Sequence, residues 1–453
     1  MKKNGSRFRG LPPVLRELHA LRGERVWRIM LEGLFVGGGS GLVIGLFRLF
    51  YDHGSDAIIR LTGHITTDPV SISFFFLMLM AAGLFVGKLT KAEPLISGSG
   101  IPHVELALSG NAPFPWLRVL IAKFVGTLVC LSGGLSVGRQ GPSIQMGAAV
   151  GCGFGSLFQR LMGEIPEHLP RFLISGGVAG MTAAFGAPLA GILFAFEEFH
   201  VLVSAPLLLF CSVSAASAWA VVNLAFGFGF VFPFPQLALS WHCLLPAVLV
   251  GLASGLLGVI YNFFLVSVTL WHDRQNLLSV VWKPVVPFCL AGFLFFVYPE
   301  VLVGVGYSMP GIAGVDGHVL SLTALMLFLL IKILFSVLSF ASGVPGGILM
   351  PILYIGGIFG VALGTFASCI LGGADLAAYL MLGMAALFSA TIRAPLTGAF
   401  LAAEMSGAYA FLPAFLAASL TSAWIASRMG SRPVYKSLKV RMHKKIRKEV
   451  FMR

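Results

Sequence analysis

The sequence predicts an all-α polytopic membrane protein, and three observations predict it. Hydrophobic residues make up 57% of the 453 positions and charged residues only 11%, against about 25% charged in a soluble domain. Apolar runs near 29–51, 71–90, 205–226, 243–270, 283–298 and 321–340 are long enough to cross a bilayer core, which needs about 20 residues. The short alternating strands that would announce a β-barrel do not occur in the sequence.

The net charge of +13 does not point to nucleic acid, because of where it sits. More than half of the 31 basic residues flank the apolar region, from Lys2 to Arg28 and from Arg428 to Arg453. By the positive-inside rule both ends face the cytoplasm, and contact with lipid headgroups is a generic further role. The six cysteines (Cys130, Cys152, Cys211, Cys243, Cys289, Cys369) are scattered without a CxxC pair and read as small buried hydrophobes. They give no metal site. No apolar stretch follows the basic start until about position 29, so a cleavable signal peptide is not expected.

In order, residues 1–28 form a cytoplasmic N-terminal segment, of which 11–28 reads as an amphipathic helix. A first membrane repeat is expected over 29–226, a second over 240–430, and a C-terminal helix with a basic tail over 431–453. The first span carries Gly33, Gly37, Gly38, Gly39, Gly41 and Gly45, small residues that let helices approach closely in lipid. A second run ends at Lys88, Lys91 and Glu93, and Gly98-Ser99-Gly100-Ile101-Pro102 then enters a helix. Glu105 and Lys123 are expected to form a buried structural ion pair, since unpaired charge in a membrane is costly. A loop rich in charge and proline lies around 159–171. Phe185-Gly186-Ala187-Pro188 opens a short helix that ends on Glu197-Glu198, a pair that sits either in interfacial water or beside a proton path.

The chain is organised around Gly138-Arg139-Gln140-Gly141-Pro142. A charge, an amide and a proline stand there between glycines inside an apolar region. Proline suits the first turn of a helix. The stretch reads either as a packing kink or as a broken helix whose free amides face an anion. A repeat favours the second. Pro188-Leu189-Ala190-Gly191 returns 207 positions later as Pro395-Leu396-Thr397-Gly398. Pro142 returns 209 positions later as Pro351, within Gly346-Gly347-Ile348-Leu349-Met350-Pro351. Interrupted segments at matching places in two halves of a transporter mark a binding site near the midplane. Leaving water costs an ion tens of kcal/mol in a medium of low dielectric, and several helix N-termini converging on it offset that without gripping it through full charge. The sequence offers no carboxylate cage for a cation and no nucleotide-binding loop, so an anion path follows.

Gly98-Ser99-Gly100-Ile101-Pro102, Gly138 to Pro142, Gly347 to Pro351, Tyr435 and the Ala187 to Gly191 and Arg393 to Gly398 stretches together resemble the CLC chloride channel and transporter family, in order and over essentially the whole chain. The likeness is to the short bacterial type without regulatory domains. It implies two inverted repeats of tilted, broken helices, and a homodimer with one pore per subunit in a bacterial inner membrane. It implies a central chloride held by the Ser99 and Tyr435 hydroxyls and the Ile348 and Leu349 amides. An outer site would use amides of Arg139, Gln140 and Gly141, with residue 140 as the gate. Chloride or bromide is then the transported substrate, with no cofactor. Serine at 99 resembles the chloride-selective members, and Leu349 stands where the family usually has phenylalanine.

The larger departure is Gln140, where most members have glutamate. Glutamine has its shape but cannot ionise, so it resembles a gate held permanently protonated. Glu198 matches the family's inner proton-transfer glutamate and Glu197 its neighbour, yet a proton from there finds no carrier at 140. The expectation is passive chloride conduction uncoupled from protons. The alternative is a proton/chloride antiporter, or an engineered glutamate-to-glutamine form of one. A remote alternative is an intramembrane hydrolase using Ser99 and His103, four residues apart on one helix face.

Overall fold

A computed structural model describes residues 23–64, 68–110, 114–162, 169–199, 203–232, 234, 241–275, 278–297, 312, 320–371 and 373–451. Sixteen α-helices make up the fold of the described residues. The first eight are α1 (Gly23–His64), α2 (Pro69–Ala92), α3 (Ile101–Leu108), α4 (Trp116–Ser132), α5 (Gln140–Met162), α6 (Leu169–Phe185), α7 (Pro188–Glu198) and α8 (Ala205–Phe226). The second eight are α9 (Leu244–Arg274), α10 (Val285–Val297), α11 (Leu322–Ala341), α12 (Leu349–Leu371), α13 (Leu376–Ile392), α14 (Pro395–Ser406), α15 (Leu412–Arg428) and α16 (Val434–Phe451). Seven helices are long and apolar enough to cross a bilayer, and the chain is an integral membrane protein. Others are too short: the 8 residues of α3 rise only about 12 Å, against a hydrocarbon core of about 30 Å.

The expected break between an amphipathic N-terminal helix and the first span is not there. α1 runs unbroken from Gly23 to His64, so residues 23–28 are its first turns; residues 1–22 lie outside the described residues, as do 163–168 of the charged loop.

The duplication is visible in the helix bounds. α5 and α12 start and stop 209 positions apart, and α6 and α13 start and stop 207 apart. Packing repeats with them. α5 crosses α6 at glycine: a Cβ on Gly147 would stand 2.2 Å from the Gly176 carbonyl oxygen, and a Cβ on Gly176 2.2 Å from that of Gly147. α12 crosses α13 in the same manner, with Gly356 against Gly383 at 2.5 Å. Both left-handed helix ends are kept too, at Gly186 (φ 69°) and at its repeat mate Arg393 (φ 73°). Arg393 is held in that strained region by its guanidinium, which donates to the carbonyls of Ala423 and Ser431 at 2.6 and 2.8 Å.

The two halves are inverted, because repeat mates meet head to tail. Glu197 at the end of α7 accepts from the Leu396 and Thr397 amides at the start of α14, at 3.1 and 2.8 Å. Glu404 near the end of α14 accepts from the Leu189 and Ala190 amides at the start of α7, at 3.0 and 2.8 Å. Each carboxylate caps the positive end of the other's helix, and only antiparallel helices about a shared two-fold axis can do so reciprocally. Gly138 and Gly347, 209 positions apart, form an antiparallel bridge on that axis, with N–H to O=C distances of 2.6 and 2.7 Å.

The glycine crossings carry a prediction. Gly176→Val will push a branched side chain into backbone that cannot yield, an overpacking cost of about 3 kcal/mol or more. A collapse in monodisperse protein on gel filtration in detergent, and a shortened half-life on heating, is the expected result.

Candidate functional site

Three helix N-termini and one tyrosine meet at the axis. The loop before α3 is turned by Gly98 (φ 65°) and Gly100 (φ 91°), a region open to glycine. It is tied to the loop before α12: the Gly98 amide donates to the Val344 carbonyl at 3.0 Å, and the Gly346 amide to the Gly98 carbonyl at 3.1 Å. The Gly138–Gly347 bridge ties the start of α5 to the same loop. Gly141 lies against Ser99, since a Cβ there would stand 2.3 Å from the Ser99 hydroxyl oxygen.

The first intrahelical bonds of α5 and α12 run from the Ser143 amide to the Arg139 carbonyl (2.9 Å) and from Ile352 to Ile348 (3.0 Å). The amides before them are helix-end donors without an intrahelical partner, and Pro142 and Pro351 add none. Arg139, Gln140 and Gly141 thus mirror Ile348, Leu349 and Met350 across the axis. Gln140, Gly141, Ile348 and Leu349 are buried.

Tyr435, at the start of α16, is fully buried, and its hydroxyl receives the Ser99 hydroxyl at 3.4 Å. That is looser than the usual O–H···O length of about 2.7–2.8 Å, and it leaves both hydroxyls able to turn to a third, electron-rich atom. The Ser99 hydroxyl thus spends its proton on Tyr435. The Gln140 amide nitrogen rests on the Met350 sulfur at 3.3 Å, while its Oε1 is buried without a partner. Arg139 stands 5.8 Å from the Tyr51 ring centre.

Two expected roles are corrected. Glu105 and Lys123 do not pair. The Lys123 ammonium, fully buried, donates to the carbonyls of Ile96 and Gly98 at 2.7 and 2.6 Å. Glu105 instead pairs with Lys439 on α16 at 3.0 Å. A loop that turns its amides inward must point carbonyls the other way, and those oxygens satisfy an ammonium as well as a carboxylate does. Lys123 therefore sets the loop carrying Ser99 and places a cation one residue away from it. Glu197 is the second correction: both its oxygens cap α14, and Oε2 also accepts from the Thr397 hydroxyl at 2.7 Å. It is structural. Glu198 is buried, with Glu105 as its carboxylate neighbour.

Sequence reasoning missed three contributors. Gln145 packs under Gly100 and donates to the Leu95 carbonyl at 2.8 Å. Glu404, the repeat mate of Glu197, could have been found from the 207-position offset. Arg48 is buried on α1, 3.8 Å from the Phe228 ring centre, with Arg139 and Asp52 as its charge neighbours; no motif announces it.

The Lys123 clamp is testable. Lys123→Met keeps the length and removes the donor, leaving the Ile96 carbonyl unmet and the Gly98 carbonyl with only the Gly346 amide. Hydrogen bonds from charged groups contribute about 1.5–3 kcal/mol each, so a loss of about 2 kcal/mol or more is expected in detergent melts, with weakened bromide binding by calorimetry.

Comparison with known proteins agrees with this geometry. The model of the voltage gated chloride channel family matches residues 78–427. The H(+)/Cl(−) exchange transporter ClcA of Vibrio cholerae serotype O1 is 30% identical over 426 residues, covering 89% of this chain and 88% of that protein. The solved structure of a slow cyanobacterial Cl−/H+ antiporter matches with a TM-score of 0.86 at 27% identity, over 92% of this chain and 98% of the other. A eukaryotic CLC transporter matches in fold with a TM-score of 0.77 at 21% identity, over 91% and 74% of the two chains. The chain, with inverted broken-helix halves closing on Ser99 and Tyr435, belongs to the CLC family of voltage-gated chloride channels and transporters.

Proposed function

We propose that this protein carries chloride across a membrane passively, without proton exchange. An anion is favoured by the site chemistry: the Ser99 and Tyr435 hydroxyls and the Ile348 and Leu349 amides are the donors of a central site, and the amides of Arg139, Gln140 and Gly141 those of an outer one. A halide accepts hydrogen bonds and demands no acceptor in return. The similarity to proteins named chloride/proton exchangers supports the same ion.

The observation that carries the uncoupled mechanism is Gln140. It is fully buried at the start of α5, and an amide cannot release a proton. Chloride then moves down its electrochemical gradient, with about 2.3 kcal/mol per charge for each 100 mV. Homodimeric assembly, a bacterial inner membrane and cytoplasmic ends belong to this reading through the family likeness and the basic termini.

The second reading is proton/chloride exchange by a route that bypasses residue 140. The neighbouring carboxylates of Glu198 and Glu105 and the exchanger relatives favour it. Chloride efflux and external pH recorded together from proteoliposomes separate the two. Efflux with no uphill proton movement is expected; protons driven uphill at a fixed ratio to chloride establish the exchanger.

A further inference from the structure

Apart from the anion site, a polar cavity of about 240 Å³ lies where α2, α9, α11 and α16 end or pass. Three cations line it, Lys91, Lys283 and Arg441, against one carboxylate, Asp273. Helix C-termini attract cations, and part of the charge is so employed: the Lys283 ammonium donates to the His272 carbonyl at 2.7 Å. Arg441 forks onto Asp273 through Nε and Nη2.

Capping does not account for the rest. It needs no void, and it does not explain two unpartnered polar atoms in the wall. The Thr90 hydroxyl is buried without a partner on a residue only 6% exposed, and His272 Nε2 is buried without one as well. A wall with three cations against one carboxylate, and an unspent hydroxyl on Thr90, is complementary to a multiply charged anion.

We propose that this cavity binds a phosphate monoester. Such a group carries about −1.5 to −2 charge at neutral pH and three acceptor oxygens, which balances the lining. The volume equals about eight waters at 30 Å³ each, room for the phosphate and a short organic fragment, as in a glycerophosphate. The phosphate comes either from a soluble metabolite or from an anionic lipid headgroup. The far wall includes Ser97 and Gly343, joined by the Ser97 hydroxyl donating to the Gly343 carbonyl at 3.0 Å. The next residues along each strand, Gly98 and Val344, are the pair that sets the Ser99 loop. Arg441 lies on the helix that carries Tyr435. An occupant therefore touches both supports of the anion site without entering it.

The test uses the full chain in detergent and chloride-free gluconate buffer, so it does not depend on the transport reading. Glycerol 3-phosphate is titrated by calorimetry and in thermal melts, and phosphatidic acid in mixed micelles is tested as a competitor. One saturable site and a raised melting temperature are expected. Thr90→Val with Lys91→Ala should weaken binding at least tenfold, while Arg160→Ala, exposed on the last turn of α5 and outside this lining, should leave it unchanged. Competition by phosphatidic acid assigns the site to headgroups as well as metabolites; its failure restricts the site to soluble esters. Saturation by phosphatidic acid alone assigns it to headgroups. No saturable binding of either probe, or binding indifferent to the Thr90 and Lys91 changes, overturns the proposal.

Discussion

Gln140→Glu will convert a proton-silent chloride flux into one that moves protons against chloride. Residue 140 is buried at the first turn of α5, beside Gly138 and Met350, where helix-end amides favour negative charge. Glutamine fills that place as a neutral group. A glutamate of the same shape brings an anion that competes with chloride for the same amides, and a carboxyl that takes up and releases a proton when displaced. Two readouts follow. Chloride efflux from proteoliposomes should slow several-fold in the variant at neutral pH and recover on acidification, because protonation recreates the neutral group. External pH should move with chloride only in the variant. The native protein should show neither dependence through this position. If the native chain already drives protons uphill at a fixed ratio, residue 140 is not the proton carrier, and the Glu198–Glu105 pair becomes the place to look.

Much of the fold was legible because the two halves repeat. Proline and glycine at fixed offsets located both broken helices, and the helix bounds reproduce those offsets. Packing then extends the same register to Gly147 and Gly356, to Gly176 and Gly383, and to Glu197 and Glu404. The inversion was not legible from offsets, since a repeat in sequence has no handedness; it became visible in the reciprocal caps and the Gly138–Gly347 bridge. Ser99 and Tyr435 were found by motif, although 336 positions separate them.

The errors share a cause. Lys123 and Glu105 were paired because each is costly to bury alone and they lie close in sequence. Partners for buried charge need not be side chains: Lys123 took loop carbonyls, and Glu105 took Lys439 from the far end of the chain. The sequence left open which carboxylate of Glu197-Glu198 faces inward; successive helix positions point in different directions. One carboxylate faces the neighbouring helix end and the other faces Glu105.

Gly141→Ala will abolish chloride flux while the protein remains folded. The added Cβ would lie 2.3 Å from the Ser99 hydroxyl oxygen and 2.7 Å from the Ser99 carbonyl oxygen. Both distances fall well below contact, and the carbonyl oxygen is backbone that cannot turn aside. The Ser99 loop is held from behind by Lys123 and sideways by Val344 and Gly346, so it cannot retreat. α5 is pinned at Gly138 by the bridge to Gly347 and further along at Gly147. The strain therefore falls on the gap between Ser99 and the start of α5, where the amides and hydroxyl must share an ion. Displacing either by a few tenths of an ångström removes a donor from an ion already stripped of water, and losing one such charge-assisted bond costs about 1.5–3 kcal/mol, roughly ten- to hundredfold in occupancy. Blockage by the methyl group itself adds to that. Efflux at background level, with gel filtration unchanged and bromide binding lost in calorimetry, is the expected result. The control is Gly229→Ala, an exposed position without positive φ whose Cβ would meet nothing within 4 Å, which should leave flux intact. Native-like flux in Gly141→Ala would move the ion's path away from Ser99 and remove the central premise of the transport reading.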